Sequence, residues 1–318
     1  EDNAPLQVER DPYSVGFGSA NITLAGADVV AFDGYNVTIH LTELMRTGLL
    51  FLSGHPWDNI DGVAIDGNAY TEGELVIPPG ALMDIGQNRQ TENAVIKLIE
   101  FPDQVKPVLI RAVVDYNDGK LELYPSETLH NVMANIDLSR IWITNNTLGV
   151  GDTVTTEGYY RRFRLTELGG VLAGPVLTSG PSGHFEVTLN EVQRVSAIRI
   201  SNTPGGDLSA SILIELDAGA IIDLSMNTNN AQDSIPTSEI PDTTPPAISS
   251  TATLDYSTGI LSVAFDETVA ASQGTGVGGV DVSKIYLSNV AGDLNFNILG
   301  ASIPPIDLLS FDVILSES

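Results

Sequence analysis

The feature that most constrains this chain of 318 residues is that it repeats itself at an interval of roughly 140 residues. Four segments match in the same order along the chain: 101–107 with 240–246, 115–119 with 255–259, 127–128 with 267–268, and 136–143 with 280–287. The offset is 139 for the first match, 140 for the next two and 144 for the last, which follows a small insertion. Because the matches are collinear over about forty residues, we interpret them as a duplicated structural unit.

A third copy is visible near the start of the chain. At an offset of 148, residues 37–43 match 185–191 and Arg46 matches Arg194. The pattern of Gly80, Asp84 and Asn88 recurs at an offset of 139, and residues 311–317 also match 185–191. The sequence therefore predicts the later part of one repeat over 1–100, a complete repeat over 101–239 and the earlier part of a third over 240–318. We expect the chain to be a window on a longer tandem array.

Each repeat is predicted to be all-β. In residues 37–42 apolar side chains alternate with polar ones, the period of two that is typical of a half-buried strand. The stretches at 115–119 and 255–259 separate apolar runs and end in glycine, which suits a tight hairpin turn. Several short strands at this spacing favour an antiparallel β-sandwich.

One segment in each repeat breaks the alternating pattern. Thr42 and Asn190 are typical helix N-caps, and each is followed by a glutamate, which is favoured in the first turn. Apolar residues follow at helical spacing at Val192, Val195 and Ile198. The pattern predicts a helix of one to two turns that bridges two strands.

Several motifs resemble those of tandem immunoglobulin-like repeats of the bacterial-Ig and surface-layer type. They are PDTTPP at 241–246, LDYSTGIL at 254–261, FDETV at 265–269 and VDVSKI at 280–285. Such repeats occur in very large secreted adhesins, surface-layer proteins and filament proteins of microbes and algae. The middle repeat departs from the FDETV pattern, since residues 125–129 read PSETL. The resemblance implies an architectural role, with tandem Ig-like sandwiches and one bridging helix per repeat, and brings no catalytic residues.

The charge of the chain excludes some partners. With 14 Lys+Arg against 41 Asp+Glu, the net charge is −27, so nucleic acids and anionic membranes should repel the chain. No apolar run approaches the roughly 18 residues of a membrane-spanning helix. The chain has no cysteine, which excludes disulfides and thiolate metal sites. We therefore expect no nucleic-acid partner and no membrane insertion.

No catalytic motif is present in the sequence. The chain lacks the Gly-x-Ser-x-Gly elbow of serine hydrolases, and the glycines at 274–279 lack the Lys-Ser/Thr end of a phosphate loop. The four histidines, His40, His55, His130 and His184, do not recur between repeats and have no metal-binding neighbour in sequence. We expect no enzyme activity and no organic cofactor, and calcium, basic partners or simple colloidal repulsion are the remaining uses for the acidic charge.

Calcium candidates come from acids that recur between repeats. Asp103 matches Asp242 and Asp84 matches Asp223, and a linker between two sandwiches can gather carboxylates from both. Glu43, Glu191 and Glu317 recur as well. The alternative interpretation makes the glutamates first-turn acids of helices and the aspartates ordinary turn residues. The stretch 115–119 has its glycine one place too early for an EF-hand, so a plain hairpin turn is the better interpretation.

Three Asn-x-Thr triplets predict N-glycosylation, at Asn21, Asn36 and Asn145. Together with the repeats, they lead us to expect an extracellular or cell-surface protein. The predicted function is a structural subunit or segment of a filament or surface fibre, flagellar-hair or stalk-like. Its half-domains would be completed by the continuing chain or by a neighbouring copy bound head-to-tail. The alternative is a cell-surface adhesin that binds glycans or a protein partner, with or without calcium.

Overall fold

The computed structural model describes residues 22–32, 36–53, 73–129, 136–145, 160–177, 183–208, 210–271, 279–289, 292, 294–298, 300–304 and 307–315. Over these residues the chain is an all-β protein with seventeen strands and two α-helices, as the sequence predicted for the fold class. Neither of the described helices is long and apolar enough to cross a membrane. The chain divides into two compact units, Glu1–Pro241 and Asp242–Ser318.

The larger unit contains twelve of the described strands and both described helices. The strands are β1 Asp28–Phe32, β2 Val37–His40, β3 Glu74–Ile77, β4 Ala94–Lys97, β5 Leu109–Asp115, β6 Lys120–Pro125, β7 Ile141–Thr144, β8 Arg162–Arg164, β9 Ala173–Leu177, β10 Phe185–Thr188, β11 Leu213–Leu216 and β12 Gln232–Ile240; the helices are α1 Glu43–Ser53 and α2 Glu191–Arg199. β1 pairs with β2 and β3 with β4, both antiparallel. The other eight strands form one sheet in the order β8-β7-β11-β12-β5-β6-β10-β9.

Strand β12 joins the two halves of this sheet. Its first part, up to Pro236, pairs antiparallel with β11, whereas Thr237 to Ile240 pair parallel with β5. Ser234 has a φ of 58°, and Pro236 has no amide proton for a ladder hydrogen bond. These two residues lie where the strand changes partner, so the local backbone fits the switch.

The two halves of the sheet enclose one hydrophobic core. β5, β6 and β10 contribute alternate side chains such as Val114, Leu123 and Phe185, and β7, β8 and β11 contribute others such as Ile143 and Phe163. Burying each large apolar side chain stabilises the fold by about 1.5–3 kcal/mol. Because residues from both halves belong to the same cluster, the sheet folds over at β12.

The helices begin where the sequence predicts, but they are longer than predicted. The Asn190 side chain caps α2, accepting a hydrogen bond from the Gln193 amide at 2.8 Å, and Thr42 Oγ1 accepts one from the Met45 amide at 3.3 Å. The helices have eleven and nine residues, so the prediction of one to two turns is wrong. Val192 is 56% exposed, and the buried residues of α2 are Gln193, Arg194, Ser196 and Ala197.

The polar face of α2 is buried because it satisfies backbone groups beneath it. Gln193 is fully buried, and its Nε2 donates to the carbonyl oxygens of Leu165 and Glu167 at 2.9 and 3.0 Å. Arg194 Nη1 donates to the carbonyl oxygen of Tyr116 at 2.8 Å. Buried carbonyls need such donors, and an apolar side chain could not supply them.

The smaller unit has five described strands: β13 Ile248–Asp255, β14 Ile260–Val269, β15 Tyr286–Ser288, β16 Asn295–Asn297 and β17 Leu308–Ile314. β14 lies between β13 and β17 in an antiparallel sheet, and β15 pairs with β16. Its core is built on Leu261, Ile298, Phe311 and Val313. The rings of Phe265 and Phe311 stack with their centroids 5.2 Å apart.

Positions that match in the sequence also share local geometry. Asp115 Oδ1 accepts the Asn117 amide at 2.9 Å, and Asp255 Oδ1 accepts the Ser257 amide at 2.8 Å. Both turns end in a glycine with positive φ, 72° at Gly119 and 68° at Gly259, a conformation that glycine adopts without strain. A second pair, Asp137 and Asp281, each caps a 3-10 turn by accepting the amide of the serine two residues on, at 3.0 Å.

Candidate functional site: a carboxylate cluster around Arg46

The candidate site lies where the first turn of α1 meets the chain beyond β6. Arg46 is its centre and forms three ion pairs. Its Nε lies 2.8 Å from Glu43 Oε2, its Nη1 lies 2.5 Å from Asp103 Oδ2, and its Nη2 lies 2.9 Å from Glu127 Oε2. One guanidinium therefore joins the helix to the segment before β5 and to the residues after β6.

Glu43 adds a direct link between the helix and the backbone after β6. Its Oε1 accepts a hydrogen bond from the Thr128 amide at 2.8 Å and another from Arg46 Nη2 at 2.9 Å. The hydroxyl of Thr47, one turn along α1, donates to the Thr128 hydroxyl at 3.1 Å. A glutamate in the first turn of a helix is also stabilised by the helix dipole. We call these contacts of Glu43, Arg46 and Thr47 with Asp103, Glu127 and Thr128 the α1 clamp.

Three carboxylates converge beside the clamp. Asp103, Glu127 and Asp223 each place a carboxylate oxygen within 4.8 Å of the others. Asp223 reaches this position because it and Leu129 form an isolated β-bridge. The turn after it is held by Asn227, whose amide and Nδ2 donate to the two Asp223 oxygens at 2.7 and 2.9 Å. We call Asp103, Glu127 and Asp223 the acidic trio.

The acidic trio is short of positive charge. Arg46 pairs with Glu43 and with two members of the trio, Asp103 and Glu127, whereas Asp223 forms no ion pair with it. Burial, together with the nearby Asp223 carboxylate, raises the pKa of Glu127 to about 7. Burial also raises the pKa of Asp223, with Asp103 adding to the effect, although hydrogen bonds from Asn227 oppose it. Burial alone would raise the pKa of Glu43, but hydrogen bonds from Arg46 and Thr128 lower it overall.

One oxygen of the trio has no hydrogen-bond partner among the described residues. Glu127 is only 8% exposed, and its Oε1 is buried without a donor, whereas its Oε2 is paired with Arg46. An unsatisfied buried carboxylate oxygen is costly, because desolvation is not offset by a hydrogen bond or a charge. Chemically, an arrangement of three convergent carboxylates without histidine suits a hard cation such as Ca²⁺.

Of the four predicted calcium candidates, the structure brings two together. Asp103 and Asp223 belong to the trio, whereas Asp84 is exposed on the surface and Asp242 lies in the smaller unit. No group of three potential ligands among the described residues contains Asp84 or Asp242. The alternative interpretation of these aspartates as turn residues also holds in part. Asp103 Oδ1 accepts the Val105 amide at 2.9 Å, and Asp242 Oδ1 accepts the Thr244 amide at 3.0 Å.

Glu127 and Arg46 were not among the residues that the sequence predicted for a site. Their only signal was recurrence, because Glu127 matches Glu267 and Arg46 matches Arg194. Recurrence of charged residues between the repeats could have identified both.

A second acidic group lies on the surface of β6 and β10. Glu122, His184 and Glu186 could also hold a cation, but Lys120 Nζ lies 2.6 Å from Glu186 and 3.3 Å from Glu122. The His184 ring stacks on Tyr124 at a centroid distance of 4.7 Å. The lysine already supplies a positive charge to this group. Of the other histidines, His40 is exposed on β2, and His55 and His130 lie outside the described residues.

The three predicted glycosylation sites have different surroundings. Asn36 is exposed immediately before β2, and Asn21 lies outside the described residues. Asn145 is only 7% exposed, and its Nδ2 donates to the Ile200 carbonyl oxygen at 2.6 Å. Since a glycan would be attached to that nitrogen, Asn145 is a poor acceptor in the folded chain.

Comparisons of the chain with protein-family models, with curated proteins and with solved structures found no match.

Proposed function

We propose that this chain is a structural segment of an extracellular filament or surface fibre, flagellar-hair or stalk-like, built of tandem immunoglobulin-like β-sandwich repeats. The observation that carries the proposal is the α1 clamp. Helix α1 belongs to the first predicted repeat, and Glu127 and Thr128 belong to the second. The clamp is thus a side-chain contact across a predicted repeat boundary, in addition to the linker itself.

A fibre needs such contacts because a linker alone leaves neighbouring domains free to reorient. The linker before β5 contains Pro102 and Pro107, which limit its flexibility without fixing an angle. Arg46 and Glu43 together contact Asp103, Glu127 and Thr128, so several bonds of different direction hold the helix. That arrangement suits a repeat array whose axis must resist bending.

The recurrence of the clamp residues supports an array rather than a single junction. Arg194 pairs with Glu191 at 2.8 and 3.0 Å, close to the 2.8 and 2.9 Å of Arg46 with Glu43. Asp103, Glu127 and Thr128 recur as Asp242, Glu267 and Thr268, whereas Thr47 is matched by Val195. Recurrence of these residue types at the repeat spacing favours an array of like units.

The same proposal covers location and partners. A chain with a net charge of −27 and no cysteine suits an extracellular fibre whose subunits stay in solution until they assemble. We propose copies of the chain in a head-to-tail polymer as its partners, since a heterologous contact propagates into a filament unless its rotation closes. A catalytic role forms no part of the proposal.

Immunogold electron microscopy tests the proposed function. Antibodies raised against the chain should label fibres or stalks on the source cells at regular intervals, and mass spectrometry of the labelled material should give a polymer or a polypeptide well above 33.7 kDa. Label confined to the cell interior, or to dispersed globular monomers, would overturn the fibre. Binding to a glycan array that chelation abolishes, with no labelled fibres, would point to the adhesin instead.

A further inference from the structure

We propose that Asp103, Glu127 and Asp223 form a binding site for a single calcium ion beside the α1 clamp. The proposal goes beyond the fibre, because the site is defined by residues of one chain and can be tested without any assembly. Three independent observations carry it: the spacing of the oxygens, the buried Glu127 oxygen without a partner, and the excess of carboxylates over cations.

The spacing of the trio fits the coordination shell of calcium. Ca²⁺ binds oxygens at about 2.3–2.6 Å, so two ligands on opposite sides of the ion lie about 5 Å apart at most. The trio oxygens all lie within 4.8 Å of one another. A single ion between them can therefore contact all three carboxylates after small side-chain movements.

The buried Glu127 oxygen is the observation that points to a ligand. Glu127 is more than nine-tenths buried, and Arg46 pairs with only one of its two carboxylate oxygens. The other oxygen, Oε1, receives no hydrogen bond from the described part of the chain. A bound cation would supply the missing partner and would also reduce the repulsion of the Asp103 and Asp223 carboxylates.

The ligand chemistry favours calcium over other common cations. Zinc prefers nitrogen and sulfur ligands, and the trio offers only carboxylate oxygens. Magnesium requires near-ideal octahedral geometry at short distances and gives up its water reluctantly, whereas calcium accepts irregular shells of six to eight oxygens. Asp103 lies at the partly exposed side of the trio, so solvent can complete such a shell.

The chain provides a matched control in Asp84. Asn88 donates to both Asp84 oxygens, at 2.8 and 3.0 Å, just as Asn227 donates to both Asp223 oxygens, at 2.7 and 2.9 Å. Asp84 is exposed, however, and belongs to no group of three potential ligands among the described residues. The turn alone is therefore common to both aspartates, and the convergence of carboxylates distinguishes Asp223.

The test is calcium titration of the full chain after treatment with a chelator, followed by calorimetry and by thermal unfolding. Wild type should bind one Ca²⁺ saturably and unfold several degrees higher in 5 mM CaCl₂ than in MgCl₂ of the same ionic strength. Asp223→Asn should weaken binding at least tenfold, Glu127→Gln should do the same, and Asp84→Asn should bind as wild type does. Circular dichroism confirms that each variant is folded before titration.

Two results would overturn the site. One is the absence of saturable calcium binding by wild type up to 10 mM, a range that covers the affinities of extracellular calcium modules, which reach about 1 mM. The other is equal affinity of Asp223→Asn and Asp84→Asn, because the ion would then be bound elsewhere. Neither result bears on the fibre, which is judged by labelling of the source cells.

Discussion

At the scale of single residues, Glu43 is the side chain on which the α1 clamp most depends. Its two oxygens accept hydrogen bonds from Arg46, and Oε1 also accepts the Thr128 amide. Hydrogen bonds to a charged group contribute about 1.5–3 kcal/mol, more than bonds between neutral groups. Removing this carboxylate also leaves Arg46 beside fewer anions.

We expect Glu43→Ala to lower the free energy of unfolding by about 1–3 kcal/mol at pH 7 in calcium-free buffer. The pKa of Glu43 is lowered below 4.5 in the folded chain, so its contribution is complete above pH 4.5 and is lost as the pH falls through the folded-state pKa. The difference between wild type and variant in urea denaturation should therefore shrink as the pH drops below 4.5. A difference that stays constant down to pH 2 would contradict this assignment.

Hydrogen exchange of individual amides gives a local control for the same variant. The Thr128 amide loses its acceptor in Glu43→Ala and should exchange at least about tenfold faster, as expected for a loss of about 1.4 kcal/mol or more. The Ser126 amide is bonded to the Val108 carbonyl oxygen at 2.7 Å and should keep its rate. Equal acceleration at both amides would indicate general destabilisation rather than loss of the clamp.

At the scale of secondary structure elements, the helices show what sequence patterns can and cannot predict. The N-caps at Thr42 and Asn190 were predictable because capping depends on residues that are close in sequence. The buried face of α2 was not, because Gln193 is held by carbonyl groups of Leu165 and Glu167, more than 25 residues earlier. Val192 is one of the apolar residues at helical spacing, yet it is exposed.

From these contacts we predict that the polar Gln193 stabilises the fold more than the apolar Val192 does. Gln193→Leu should destabilise the larger unit by about 2–4 kcal/mol, because the buried Leu165 carbonyl and the partly buried Glu167 carbonyl lose this donor. Val192→Gln should change stability by less than about 0.5 kcal/mol, since it alters an exposed side chain. Urea denaturation of the two variants measures both effects. A larger loss for Val192→Gln than for Gln193→Leu would show that α2 presents the other face to the core.

Only two of the three residues of the acidic trio, Asp103 and Asp223, were predicted from the sequence, for a related reason. Asp84 and Asp223 have the same sequence pattern and the same turn, so no local signal separates the exposed aspartate from the buried one. What distinguishes Asp223 is its bridge to Leu129, almost a hundred residues away. Long-range strand pairing of this kind is set by the assembled core. The all-β class and the hairpin turns at 115–119 and 255–259, by contrast, follow from local alternation of side chains and from the placement of glycine.

At the scale of the whole molecule, repulsion between acidic side chains is the main destabilising contribution that the described ion pairs do not offset. The 41 acidic residues exceed the 14 basic ones by a wide margin. The ion pairs of the α1 clamp use only one of those bases. A compact state with a large net charge is destabilised by self-repulsion, and salt reduces this term over the Debye length, about 8 Å at physiological ionic strength.

We therefore expect the chelator-treated protein to become more stable as NaCl is raised from about 10 mM to about 150 mM, with a rise of several degrees in the unfolding temperature. Choline chloride at the same ionic strength should act equally, because screening does not depend on the identity of the monovalent cation. A fall in unfolding temperature would mean that attractive pairs such as those of Arg46 outweigh the global repulsion. A larger rise in unfolding temperature with sodium than with choline would instead reveal a bound cation. CaCl₂ should raise the unfolding temperature more than either salt at matched ionic strength only if the acidic trio binds calcium.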